Sequence, residues 1–321
     1  MSALEVLRGA WRTFVPATML YTPGNDEHKI GKVGAFGSDA VVLDLEDAVA
    51  DEEKVAARSR ARAGVESLPD TLLRFIRVNN AATRLTQDDV TAIVGPSLDG
   101  VMYPKVEHPD ELWDLDRWLG RAEREAGLEI GHTVVIGLIE TAYGFTEIDR
   151  LLGRVPDRVL TVAFGLGDYS VDLGIELGDY RHQLDFPRAR INVAARAHRL
   201  APPVDGPWLR LQDLEGLHAD CERSRSFGFG GRQLIYPSHV PVALADYLGV
   251  DDDRRAHFER VVVGFEAAVA DGRAALQVDG LMVDYPIYHR ARRALADADR
   301  LRRLKRHIQQ SRSTPSSRSK E

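Results

Sequence analysis

The sequence predicts an α/β chain: a (β/α)8 barrel of the TIM type, followed by a helical C-terminal extension. Three observations carry this. Eight short apolar runs recur between residues 18 and 237, and helix-length segments separate most of them. Strands that alternate with helices build parallel βαβ units, and eight of them favour a closed barrel over an open doubly wound sheet. Four of the runs also end in charged or polar residues, as barrel strands do where they open on a site.

Taken in order, the expected strands are "TMLYT" (18–22), "AVVLDLE" (40–46), "LRFIRVN" (73–79), "GVMYPKV" (100–106), "TVVIGLIET" (133–141), "VLTVAFGL" (159–166), "WLRL" (208–211) and "RQLIYP" (232–237). The segment 51–68 opens with acids suited to a helix N-terminus. Residues 188–200 show another helical pattern. The barrel, with what precedes it, takes up residues 1–245. Residues 246–308 form the extension, with helical patterns over 251–275 and 287–308. The Ser-, Arg- and Pro-rich stretch 309–321 has no apolar anchors and reads as a disordered tail.

Composition narrows the function classes. The chain has 321 residues, 44% of them hydrophobic, enough for one large domain or a large domain with an appendage. Such a core needs no disulfide or metal staple. The net charge of −7, with basic residues spread along the chain, indicates no nucleic acid or membrane partner. The single cysteine, Cys221, reads as a structural thiol. No apolar run approaches 18 residues and no signal peptide is seen, so a cytoplasmic protein is expected. The amphipathic stretch 1–14 is expected to pack on the domain.

The chemistry gathers at strand ends. In a barrel the C-termini of strands 2, 3, 5 and 6 converge on one face. Here they carry Glu46 and Asp47, then Arg77 and Asn79, then Glu140, then Asp168. Glu140 and Asp168 suit a hard divalent cation, since Mg2+ takes one or two protein carboxylates and keeps sites for water and substrate. His-rich zinc spacing is absent. The other reading makes Glu140 a loop acid and Asp168 a helix cap. Gly165 and Gly167 are expected to let the backbone turn tightly before Asp168. The planar fork of Arg77 suits a substrate carboxylate or a thioester carbonyl becoming an enolate; it could also form a structural ion pair with Glu46 or Asp47. Strand alternation puts Asp44 and Glu46 on one side, with Asp47 where the strand turns out. Asp44 is left as a buried acid with no assigned partner.

An ordered set of motifs carries a family resemblance: "LYTPGNDEHKI" (20–30), "DAVVLDLEDAVADEEKVAAR" (39–58), "IRVN" (76–79), "YPKVEHPDEL" (103–112), "IGLIETAYG" (136–144), "FGLGDYSVDLG" (164–174), "GFGGRQLIYPSHV" (228–240) and "GLMVDYP" (280–286). Over residues 17–290 the chain resembles the HpcH/HpaI aldolase and citrate lyase family, in its citrate lyase beta-like, CoA-ester lyase branch. The resemblance implies a barrel that assembles into trimers or hexamers. It implies Mg2+ (or Mn2+) on Glu140 and Asp168, and substrate contacts from Arg77 and Glu140. Glu46 and Asp47 would hold metal-bound waters and orient Arg77, Asp47 serving the waters and Glu46 the arginine. In malyl-CoA lyase-like members, a stretch like "DGLMVDYP" lies in a lid that closes over a neighbouring subunit's site. Asp284 would then be the lid carboxylate that exchanges a proton with the acyl group; alternatively it caps the helix that follows it. Two positions depart from the family pattern: Ala17 stands where an Arg is usual, and Tyr236-Pro237 where His-Pro is usual.

The implied reaction is reversible Claisen-type cleavage of a 3-hydroxyacyl-CoA, such as malyl-CoA or citramalyl-CoA, into an acyl-CoA and a 2-oxoacid such as glyoxylate or pyruvate. CoA enters as part of the substrate. The rival expectations are a malyl-CoA thioesterase, a CoA-independent 2-oxoacid aldolase, and a non-catalytic citrate-lyase-like subunit.

Overall fold

The computed structural model describes residues 15–177, 182–249, 252–296 and 298–299. Its chain divides into two compact units, up to Ala243 and from Leu244 on. The stretches 1–14 and 309–321 lie outside the described residues.

The first unit is a closed barrel of eight parallel strands in sequential order. The chain runs β1 (Thr18–Pro23), α1 (Glu27–Val33), β2 (Ala40–Asp44), α2 (Lys54–Ser67), β3 (Leu73–Arg77), α3 (Thr86–Ile93), β4 (Gly100–Tyr103), α4 (Pro109–Glu125), β5 (Val134–Ile139), α5 (Ala142–Thr146), α6 (Ile148–Leu152), β6 (Val159–Phe164), α7 (Leu166–Asp172), α8 (Asp185–Ala197), β7 (Val204–Asp205), α9 (Leu214–Ser226), β8 (Gly231–Leu234) and α10 (His239–Leu248). β2, β4, β5 and β6 are buried at every position, which is why they read as unbroken apolar runs. Helix starts use the expected devices. Asp26 and Asp213 cap α1 and α9 by accepting from the N–H groups of Lys29 and Gly216, and α4 opens on Pro109.

Met19, Ala40, Val42, Phe75, Met102, Val134, Ile136, Leu138, Ala163 and Val204 belong to one buried cluster. Alternation then places Tyr21, Asp44, Arg77 and Glu140, each two residues further along its strand, on the same side and nearer the C-terminal face. The fold thus lays a polar layer on an apolar one.

The seventh strand differs from the expectation. It is Val204–Asp205, and residues 208–211 form a loop with Leu209 and Leu211 exposed. Two residues carry no period that a local pattern could show. Barrel closure defines them: Val204 pairs with Ala163 of β6 and Gly231 of β8, and Asp205 with Arg232. A buried ionic quartet reinforces that short strand. Nη2 of Arg188 lies 2.9 Å from Asp205 and 2.8 Å from Asp220, and Nη2 of Arg232 lies 2.9 Å and 2.7 Å from the same two carboxylates. Strands 2, 3, 4, 5, 6 and 8 also end earlier than expected, at Asp44, Arg77, Tyr103, Ile139, Phe164 and Leu234. Cys221 is buried in α9.

The second unit contains α11 (Asp252–Ala270), an antiparallel hairpin of β9 (Leu276–Val278) and β10 (Leu281–Val283), and a helix α12 over 285–296. Val261, Phe265, Val283 and Ala291 form its core. The hairpin turns on Asp279 and Gly280, both at positive φ (50° and 82°), as a two-residue turn of the primed type requires. Arg260 and His257 on α11, each 2.7 Å from Oδ2 of Asp279, hold that carboxyl down to about 2 and tie the turn to the helix.

Candidate active site

The site grows from a ladder pair. Asp44 ends β2, Arg77 ends β3, and the two are register partners in the parallel ladder. Two parallel bonds join them: Nε donates to Oδ1 at 2.7 Å and Nη2 to Oδ2 at 2.6 Å. This fork fixes the guanidinium plane. Nη1 forms ion pairs with Glu46 at 2.9 Å and Asp47 at 3.4 Å. The Tyr21 ring lies under the guanidinium carbon, 5.4 Å from centroid to carbon. Asp44, left without a partner on sequence grounds, is therefore the main partner of Arg77, and Glu46 comes second. Register explains this: a residue directly across a ladder is nearer than one in the loop beyond it. Despite burial, Asp44 and then Glu46 push the arginine pKa well above its ordinary value.

Tyr21 is itself fixed. Both N–H bonds of the Gln233 amide go to backbone carbonyls, of Phe164 at 3.0 Å and Asp205 at 3.3 Å. Its oxygen accepts from the Tyr21 hydroxyl at 2.8 Å. Burial raises the phenol pKa, so Tyr21 is a neutral donor.

Lys105 joins the remaining acids. Its ammonium lies 2.6 Å from Glu46, 2.9 Å from Asp168 and 3.8 Å from Asp47. Its backbone N–H donates to Glu140 at 2.7 Å. The residue takes a left-handed φ of 50°, uncommon for a side chain of this size. Asn80 holds that conformation by donating to the carbonyls of Pro104 at 3.0 Å and Lys105 at 3.3 Å. Sequence reasoning passed over Lys105, although it stands just beyond the apolar strand β4 as Glu140 stands just beyond β5. The strand-end criterion applied to β4 finds it.

Glu140 follows β5 and is 3% exposed. Burial first, then the nearby Glu46 charge, raises its carboxyl to about 8. Burial likewise raises Glu46, against the pull of Arg77 and Lys105. Asp168 sits in the first turn of α7. Gly165, just ahead of it, has a φ of −85°, and neither Gly165 nor Gly167 is left-handed, so the expected turn is not their role. Space is the reason at Gly165: a Cβ there would lie 1.9 Å from Oε2 of Glu140. Gly167 has open space around its Cα.

Asn79 turns elsewhere. It accepts from Lys54 at 2.8 Å and donates to Asp89, whose other oxygen takes Nε of Arg58 at 2.7 Å. Lys54 also donates to the carbonyls of Leu45 and Glu46. This buried chain holds the loop bearing Glu46 and Asp47.

Asp44, Glu46, Asp47, Glu140 and Asp168 thus surround Arg77 and Lys105. With Lys54 counted, carboxylates outnumber cations five to three. A divalent cation fits that surplus, and the donors are hard oxygens. Among the described residues no group of three or more His, Cys, Asp or Glu is poised to hold a metal. Glu140 and Asp168 as a pair match Mg2+, which keeps several waters, better than zinc. In the second unit, Asp284 caps α12, its Oδ1 accepting from Ile287 N–H at 3.3 Å.

The family model for HpcH/HpaI aldolase/citrate lyase matches residues 17–237. The chain is 29% identical over 287 residues to citrate lyase subunit beta of Leuconostoc mesenteroides subsp. cremoris, covering 88% of this chain and 94% of that one. It is 31% identical over 286 residues to a (3S)-malyl-CoA thioesterase of Cereibacter sphaeroides, with the same coverage, 88% and 94%. Its fold is similar to that of the CitE protein of Mycobacterium tuberculosis in complex with magnesium, acetoacetate and coenzyme A. The TM-score is 0.72 at 27% identity, over 90% of this chain and 99% of that one. A barrel mouth lined with acids around one fixed arginine, together with these matches, places the chain in the HpcH/HpaI aldolase/citrate lyase family of enzymes.

Proposed function

We propose that the protein is a Mg2+-dependent carbon–carbon lyase. It cleaves a 3-hydroxyacyl-CoA such as malyl-CoA or citramalyl-CoA into an acyl-CoA and a 2-oxoacid, or forms it by the reverse condensation. The observation that carries this reading is the forked Asp44–Arg77 pair held beside Glu140 and Asp168 at one barrel mouth. Magnesium and coenzyme A in the similar CitE protein support it.

Glu140 and Asp168 would hold the cation, which when bound supplies Lewis acidity and a template for the hydroxyacid end. Arg77 directs a charge that cannot be neutralised at the oxygen of the thioester. As the C–C bond breaks, the electron pair moves onto that oxygen as an enolate, which the guanidinium stabilises. The hydroxyl proton passes to the side of Glu46 and Asp47, where Asp47 is the solvent-accessible carboxylate (57% exposed). Asp284 of a neighbouring chain, in a trimer or hexamer, returns a proton to the enolate carbon.

The test is turnover of purified protein with Mg2+ on malyl-, citramalyl- and β-methylmalyl-CoA, with products identified by mass. Equal amounts of acyl-CoA and 2-oxoacid are expected. The resemblance to a malyl-CoA thioesterase favours a second reading, in which the same site hydrolyses the thioester. Free CoA without matching acyl-CoA would establish that reading instead.

A further inference from the structure

Among the described residues, Lys105 bonds to both proposed metal ligands. Its backbone N–H holds Glu140, while its ammonium holds Asp168 at 2.9 Å and Glu46 at 2.6 Å. The left-handed backbone at 105, pinned by Asn80, aims both groups into the acid cluster. A cation that takes Asp168 must share it with this ammonium or displace it, because two cations on one carboxylate repel each other. The ammonium has somewhere to go: Glu46 stays within reach, and Asp47 stands 3.8 Å away.

We propose that Lys105 is a positioning residue that competes internally for the metal site: its backbone sets Glu140, and its ammonium cedes Asp168 to an incoming divalent cation, keeps Glu46 and closes on Asp47. The inference rests on the reading of Glu140 and Asp168 as the metal ligands. Glu46 already carries both this ammonium and Nη1 of Arg77, so ceding Asp168 adds the second cation at Asp47, the other acid that holds Nη1. Metal entry therefore loosens Nη1 of Arg77 from its protein acids, while the Asp44 fork keeps the guanidinium plane. Lys105 tunes metal affinity in this way and couples metal binding to the freeing of an arginine donor for substrate.

The experiment is Mn2+ binding to the full-length protein, read as free Mn2+ by electron paramagnetic resonance, with no substrate present. The proteins are wild type, Lys105→Met, Lys105→Gln, Lys105→Arg and Asp168→Asn. Removing the competing charge should tighten Mn2+ binding about tenfold in Lys105→Met and Lys105→Gln. Lys105→Arg should return it toward wild type. A purely structural brace would weaken binding or leave it unchanged when removed. If wild type binds Mn2+ and neither neutral variant binds more tightly, the competition is refuted while the ligand assignment stands. If wild type fails to bind, or Asp168→Asn binds equally well, the ligand assignment fails and this inference with it.

Discussion

Arg77 lies 11% exposed against Asp44 at 3%, so the pair is a buried ion pair with one working edge. Removing Arg77 leaves the Asp44 charge buried with only the backbone N–H groups of Glu46 (2.9 Å) and Ala48 (3.1 Å), which costs more than the pair itself contributes. Arg77→Ala should therefore lose about 3 kcal/mol of stability as well as turnover. The double variant Arg77→Ala/Asp44→Asn, which removes the charge and keeps an acceptor for those N–H groups, should recover much of that stability and none of the activity, as urea unfolding and turnover would show. If the double variant is no more stable than the single one, Asp44 is not the partner that matters. The motif showed Arg77 and the loop acids as chemistry-bearing residues. It did not show Asp44 as the partner, because register across two strands separated by a helix is invisible in a local pattern.

At the scale of elements, the β6–α7 junction shows how a glycine serves a neighbour on another strand. The space above Gly165 is filled by the Glu140 carboxylate. Gly165→Ala should displace that carboxylate at a cost of about 1–3 kcal/mol, as overpacking does. Mn2+ binding should weaken while far-ultraviolet circular dichroism keeps the barrel signature. Unchanged Mn2+ affinity would mean that Glu140 can move aside and still serve. A glycine before an acid in sequence suggests a turn. Only the contact with β5 reveals that it is a matter of room. β7 teaches the same lesson: a run with strand-like composition, "WLRL", lies in a loop, while Val204–Asp205 closes the barrel.

At the scale of the whole molecule, the second unit carries Asp284 at the start of α12, and the proposed reaction needs that carboxylate at a neighbouring chain's barrel. Mixing inactive Asp284→Ala chains with inactive Asp168→Ala chains should restore activity once mixed oligomers form. No recovery in verified mixed oligomers would sink the shared site. The sequence by itself determined the barrel and the acids and arginine that stand at its strand ends. These follow from hydrophobic period and from polar residues that stop it, both local properties of the chain. Tertiary structure alone decided that Asp44 grips Arg77, that Lys105 bridges Glu46 and Asp168, and why residue 165 has no side chain. These are contacts between residues far apart in the chain, and only closure of the sheet on itself sets the distances that define them. Asp44, Glu46 and Asp47 are thus one arginine clamp, begun on β2 and completed in the loop after it.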